Sequence, residues 1–181
     1  MARAGRGRLP RAEMDAARVV NLLAHLQARS LSVWLDGGWA VDALLGEQTR
    51  PHDDLDLVAR LEDSEHIEQA LGEAGYLLAG GGPPLSFELV DDVGHQVDIH
   101  PASITPVGDG IYRMASGETW VYPAAGFYGV GSIVGHAVPC LTPEVVIVNH
   151  TTGYALDEDH QRDVLAIAER FGIPVPEFET T

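Results

Sequence analysis

The sequence contains no lysine. Its eleven basic residues are all arginine, set against 27 Asp and Glu, and the formal net charge is −16. Four of those arginines (Arg3, Arg6, Arg8 and Arg11) fall within the first eleven residues, which carry no acid. The body from residue 12 onward therefore holds seven Arg against 27 acids, a net of −20. Such a body repels a phosphate backbone, so nucleic acid is not an expected partner, whereas a cationic small molecule would be attracted. Cysteine is nearly absent as well. Cys140 stands alone, which excludes an internal disulfide and suits a reducing, cytoplasmic setting. No stretch approaches the roughly 18 apolar residues of a membrane helix, and no apolar signal core follows the basic opening, so no membrane partner is expected.

What remains is an ordinary globular composition: 181 residues, 45% apolar and 21% charged, enough for one compact domain. Residues 1–11 read as a disordered basic tip, 12–140 as the core and 141–175 as C-terminal helices packed on it. Met14, Val19, Val20, Leu23 and Leu26 recur near helical spacing and predict a helix within 12–29. Residues 31–35 read as a buried strand that runs into Gly37-Gly38 and a short helix over 39–45, closed by Gly46. A loop holding Arg50, Pro51 and His52 leads to an alternating strand at 54–59. A helix over 64–74 follows. Strands are then expected at 76–79, 85–90 and 95–100, the last two joined by a turn at Asp91-Asp92-Val93-Gly94. Short strands at 118–122 and 133–138 precede a helix capped by Thr142 with Pro143 at its first position. A final helix over 158–171 stops at Gly172 and Pro174. The order implies an α+β fold, a mixed β-sheet flanked by helices with a small helical C-terminal part.

Asp54 and Asp56 lie two apart on a strand, so their side chains share a face while Leu55 and Leu57 take the other. Adjacent carboxylates repel each other unless a cation or proton lies between them. A hard divalent ion with oxygen ligands, such as Mg²⁺, resolves that conflict. Gln96-Val97-Asp98-Ile99-His100 repeats the pattern. If that strand pairs near the first, Asp54, Asp56 and Asp98 converge as metal-assisted phosphoryl transfer requires. Asp-Leu-Asp alone is common on half-exposed strands. Gly37-Gly38, between a strand and a helix, adds a place where backbone can approach a phosphate at a helix N-terminus.

Leu35-Asp36-Gly37-Gly38-Trp39-Ala40-Val41-Asp42-Ala43-Leu44-Leu45-Gly46 and Thr49-Arg50-Pro51-His52-Asp53-Asp54-Leu55-Asp56-Leu57 resemble the signature of the DNA polymerase β-type nucleotidyltransferase superfamily. They are closest in kind to its small antibiotic-modifying branch, the lincosamide nucleotidyltransferases and the aminoglycoside 2″-adenylyltransferases. Val97-Asp98-Ile99-His100-Pro101, Val138-Pro139-Cys140-Leu141 and Thr152-Gly153-Tyr154 are similar to blocks of the lincosamide members. Two regions depart from the pattern: Thr151 stands where a His is expected, His150 preceding it, and residues 63–87 match nothing. The resemblance implies Asp54 and Asp56 as Mg²⁺ ligands, and Asp98 as a third ligand or the general base. It implies Gly37, Gly38, Arg50 and His52 as contacts to the triphosphate of ATP or another NTP. The acceptor would be a hydroxylated small molecule, a lincosamide first and an aminoglycoside second, and a homodimer is possible. A toxin-type enzyme with a macromolecular acceptor, or a nucleotide-binding regulator without turnover, are the competing readings.

Other residues carry two readings each. Trp39 should pack beneath the Gly turn, and Asp42 should bond local backbone. His100 shares the face of Asp98 and either touches the acceptor or is a structural strand-end group. Tyr112, Trp120, Tyr122, Phe127 and Tyr128 either wall an acceptor pocket or fill the core. The resemblance implies that His150 and Tyr154 face the cleft, with Tyr154 alternatively pinning the two final helices together, and Cys140 reads as a small buried hydrophobe.

Overall fold

The computed structural model describes residues 10–152 and 158–175. The first nine residues, Gly153, Tyr154 and the rest of 153–157, and 176–181 lie outside the described residues. Helix α1 (Ala16–Gln27) starts where the Asp15 side chain accepts from the Arg18 N–H at 2.8 Å, and it buries Val19, Leu22, Leu23 and Leu26. Strand β1 (Val33–Leu35) feeds α2 (Gly37–Leu45), then β2 (Asp54–Arg60), a single helical turn (Leu61–Asp63) and α3 (Ser64–Glu73). Strands β3 (Leu77–Gly81), β4 (Phe87–Val90), β5 (Gln96–Ile104), β6 (Gly110–Arg113) and β7 (Thr119–Tyr122) come next. A helical turn (Ala124–Tyr128) leads to β8 (Gly129–Ile133), β9 (His136–Cys140), α4 (Pro143–Thr151) and α5 (Glu158–Phe171).

The described strands form one nine-stranded mixed sheet in the order β3-β4-β5-β2-β1-β9-β8, with β6 on the far half of β5 and β7 beyond it. The α+β class is as expected. The pairing that matters most is β2 with β5: these strands are parallel neighbours, with Asp54 opposite Gln96 and Asp56 opposite Asp98. Beneath the carboxylates, Leu55, Leu57, Val97 and Ile99 are fully buried, so the alternation anchors one face and presents the other. Helices α4 and α5 pack on each other and on α2.

Several boundaries differ from the expectations. Helix α2 begins at Gly37 rather than Trp39, because Asp36 caps it, accepting from the Gly37 N–H at 2.9 Å. Strand β5 continues through Pro101 to Ile104, four residues past the expected end. Pro101 lacks an N–H, but it falls where the partner changes from β4, ending at Ile99, to β6, beginning at Ala102. The single strand expected over 133–138 is a hairpin: β8 and β9 meet at Val134-Gly135, both with positive φ. Thr142 occupies the expected cap position of α4, but its side chain makes no capping bond. Residues 10–14, placed in the tip or the first helix by sequence, form an extended strap. Ala12 N–H donates to the Gly94 carbonyl at 3.0 Å and Met14 N–H to that of His52 at 2.7 Å. Among the described residues no helix is long and apolar enough to cross a membrane.

Candidate active site

Asp54, Asp56 and Asp98 stand on one face of two adjacent strands, and each is engaged by a different neighbour. Asp54 Oδ2 accepts from Arg11 Nη1 at 3.0 Å. Asp56 Oδ1 lies 3.2 Å from His100 Nε2. Both oxygens of Asp98 accept from Gln96 Nε2 at 2.9 Å. The acids also feel one another. Burial first, then the charge of Asp56, raises the pKa of Asp54, with Arg11 opposing. Burial and the charges of Asp56, Asp54 and Glu88 push Asp98 up to about 6, against the Gln96 hydrogen bond. Glu88 enters because it lies opposite Asp98 on β4. Burial alone would lower the pKa of His100. The Asp56 hydrogen bond and the charges of Asp56, Asp36 and Asp98 outweigh it, and the His100 pKa is raised.

The start of α2 closes over this face. Gly37 has φ +58°, and a Cβ there would lie 2.3 Å from Asp56 Oδ2. A Cβ on Gly38 would lie 2.4 Å from His52 Nδ1 and 3.0 Å from Arg50 Nη2. Both glycines are thus required by close approach: one to a candidate catalytic carboxylate, the other to the loop that precedes it. The helix start, with its positive dipole end, is brought beside the acids.

Behind that turn is a polar scaffold that sequence reading did not reveal. Buried Asp36 accepts from Asn149 Nδ2 with both oxygens, at 3.0 and 2.9 Å, and Asn149 Oδ1 accepts from Trp120 Nε1 at 3.1 Å. Burial is the largest influence on Asp36 and raises its pKa, with the Asn149 bond opposing. Arg50 Nη2 bonds Asp163 on α5 at 3.0 Å. Buried His52 places Nε2 2.5 Å from Asp42 Oδ2, and its ring packs 4.9 Å from that of Trp39. Asp42 Oδ1 also takes the Thr49 N–H and hydroxyl, at 3.0 and 2.7 Å, the local backbone bond expected of it. His52, expected from the resemblance to meet the triphosphate, is only 4% exposed and braces the loop against α2. Arg50 remains at the edge of the helix start, beside Gly38. Trp39 packs as expected, its Nε1–H donating to the Met14 carbonyl at 3.2 Å.

The five aromatics divide. Tyr112 stacks edge-on against His100 at 5.5 Å, and Trp120 holds Asn149, so these two reach the site. Tyr122 and Phe127 pack together in or against the core, and Tyr128 is 81% exposed. His150 is buried, its ring 5.3 Å from that of His160; burial lowers its pKa, against the charges of Asp36 and Asp163. Tyr154 lies outside the described residues. Cys140 is buried and unpaired, and burial pushes its thiol up to about 12, as suits an inert apolar side chain.

Among the described residues no three His, Cys, Asp or Glu side chains form a group able to hold a metal ion. The three carboxylates are bonded to three different neighbours, Arg11, His100 and Gln96. The donor chemistry nevertheless fits a hard divalent cation. The groups are all-oxygen, mutually repelling and on one face, and the Arg11 guanidinium already stands as a cation at Asp54.

A mixed sheet with acids on parallel neighbouring strands, under a helix that opens on Gly-Gly, is the core of a nucleotidyltransferase. Residues 18–167 match the family described as aminoglycoside-2″-adenylyltransferase, and the chain belongs to that family. It is similar to a lincosamide resistance protein of Staphylococcus haemolyticus, 27% identical over 152 residues, 84% of this chain and 91% of the relative. A 2″-aminoglycoside nucleotidyltransferase of Escherichia coli is 33% identical over 141 residues, 74% of this chain and 73% of the relative. Among solved structures, the lincosamide antibiotic adenylyltransferase LnuA with lincomycin bound superposes with a TM-score of 0.75 at 26% identity, covering 86% of this chain and 98% of that one.

Proposed function

We propose that this chain transfers a nucleoside monophosphate, AMP from ATP, to a hydroxyl of a small antibiotic molecule, with a lincosamide as the first choice of acceptor. The observation that carries the reading is the opposition of Asp56 and Asp98 beside Gly37. Asp54 and Asp56 would hold Mg²⁺, which when bound neutralises charge on the triphosphate and on the departing pyrophosphate. The N–H groups at the start of α2 and the guanidinium of Arg50 bind the triphosphate. Asp98 takes the proton of the acceptor hydroxyl as that oxygen attacks the α-phosphorus in line with the leaving pyrophosphate. Burial and the charges of Asp56, Asp54 and Glu88 raise the pKa of Asp98 to about 6, towards the range that suits a general base. His100 keeps Asp56 in place. A cytoplasmic location belongs to the same reading and fits the unpaired Cys140.

Pyrophosphate release from ATP, Mg²⁺ and lincomycin tests the assignment. A second reading, an aminoglycoside acceptor, is favoured by the 33% identity to the 2″-aminoglycoside enzyme and by the acidic body, which attracts a polycation. Release with an aminoglycoside and none with lincomycin would choose the second reading. Release with neither would remove the antibiotic assignment, and full activity in D54N would remove the mechanism.

A further inference from the structure

We propose that Arg11 is a triphosphate-binding residue of this site, held in readiness on Asp54 by the strap that carries it; the inference rests on the nucleotidyl-transfer reading. Its backbone is fixed close to the acids: Ala12 is tied to Gly94 in the β4–β5 turn, and Met14 is tied to His52, two residues before Asp54. The Trp39 indole holds the strap from the other side through the Met14 carbonyl. The side chain, by contrast, is lightly held. One nitrogen reaches Asp54 Oδ2 at 3.0 Å, and the side chain is 42% exposed. A pair this exposed contributes little to stability, and the fixed backbone delivers a guanidinium to the carboxylate face whether or not the pair forms.

The local charge balance makes that delivery consequential. Asp36, Asp54, Asp56, Glu88 and Asp98 all contribute negative potential around the same strands. A triphosphate entering there meets repulsion. Arg50 offsets part of it, but its guanidinium is shared with Asp163. A divalent cation that takes Asp54 frees the Arg11 guanidinium at the place where phosphate charge arrives, and guanidinium suits phosphate oxygens in geometry as well as charge. Arg11 thus exchanges a carboxylate for a phosphate, with no change in the path of the backbone.

Binding of a non-hydrolysable ATP analogue and of AMP, each with Mg²⁺, can be measured calorimetrically for the full chain, for R11A and for R11K. The expected result is about tenfold weaker analogue binding in R11A, partial recovery in R11K, and AMP binding equal in all three. Equal or tighter analogue binding by R11A would overturn the proposal, tighter binding meaning that Arg11 only guards Asp54. An equal loss of AMP and analogue binding would also overturn it, as would a lowered thermal midpoint in R11A, because the strap would then be structural. Failure of the wild-type chain to bind the analogue at all would remove the nucleotidyl-transfer reading itself.

Discussion

Asp56 and Asp98 face each other across parallel strands, one the last residue of an Asp-Leu-Asp triplet, the other 42 residues later in the chain. Burial first, then the charge of Asp56, raises the cost of ionising Asp98 and holds its pKa at about 6. Its folded value lies above the ordinary 3.8, so the protonated form favours the fold. That contribution is complete below about pH 4 and is lost as pH rises through 6. As a base, however, Asp98 works only when ionised. The expected kcat/KM profile climbs by about tenfold per pH unit up to pH 6 and levels above it. D98N should be inactive yet melt higher than wild type at pH 8, with the difference closing near pH 4. A variant that melts lower at pH 8 would contradict the repulsion.

Gly37 has no room for a side chain. In G37A the methyl meets Asp56 Oδ2, and the alanine must also adopt φ +58°. The backbone conformation costs about 1 kcal/mol, and displacement of the carboxylate should lower kcat/KM on the order of 100-fold. Thermal melts and steady-state kinetics separate the two effects. Near wild-type kinetics would mean that Asp56 does not need its present position.

The His52–Asp42 pair is buried on both sides, with side chains 3% and 2% exposed. Removing the ring leaves a buried carboxylate with one partner fewer, so H52A should lose about 3 kcal/mol in urea unfolding with the slope unchanged. A variant as stable as wild type but with a raised KM for ATP would return His52 to the phosphate-binding role suggested by resemblance.

Asn149 supplies the side-chain amide that Asp36 relies on. N149A should be destabilised by about 2 kcal/mol at neutral pH. The sign of its pH dependence follows from Asp36. Burial already raises that pKa, and losing the Asn149 donor raises it further, so the deficit should grow as pH rises and shrink as the acid is protonated. Melting at pH 5 and pH 8 checks this; a pH-independent deficit would mean that packing alone was lost.

Much of the site was legible because it is written locally. Asp-x-Asp alternation and the Gly-Gly between strand and helix are short-range signals, and the second alternating strand at Asp98 repeats the first. The partners of those residues were not legible. Gln96 was seen as a same-face neighbour of Asp98, but its amide bond was not foreseen. Asn149 and Asp163 are each 113 residues from the groups they hold. Arg11 lay in a run whose composition reads as a loose tip, and its binding to Asp54 depends on two backbone bonds that leave no trace in residue type. The β8–β9 hairpin was missed for a different reason. Its turn has a valine at positive φ, a residue type that does not advertise a turn.

The bonds from Asp36 to Asn149 and from Arg50 to Asp163 have a consequence for synthesis. A nascent chain can display all three aspartates and both glycines long before α4 and α5 leave the ribosome. Until then Asp36 lacks its amide and Arg50 its carboxylate. The support of the Gly37-Gly38 turn therefore arrives last, and a chain interrupted before residue 149 would carry all three aspartates and both glycines while that turn stood unsupported.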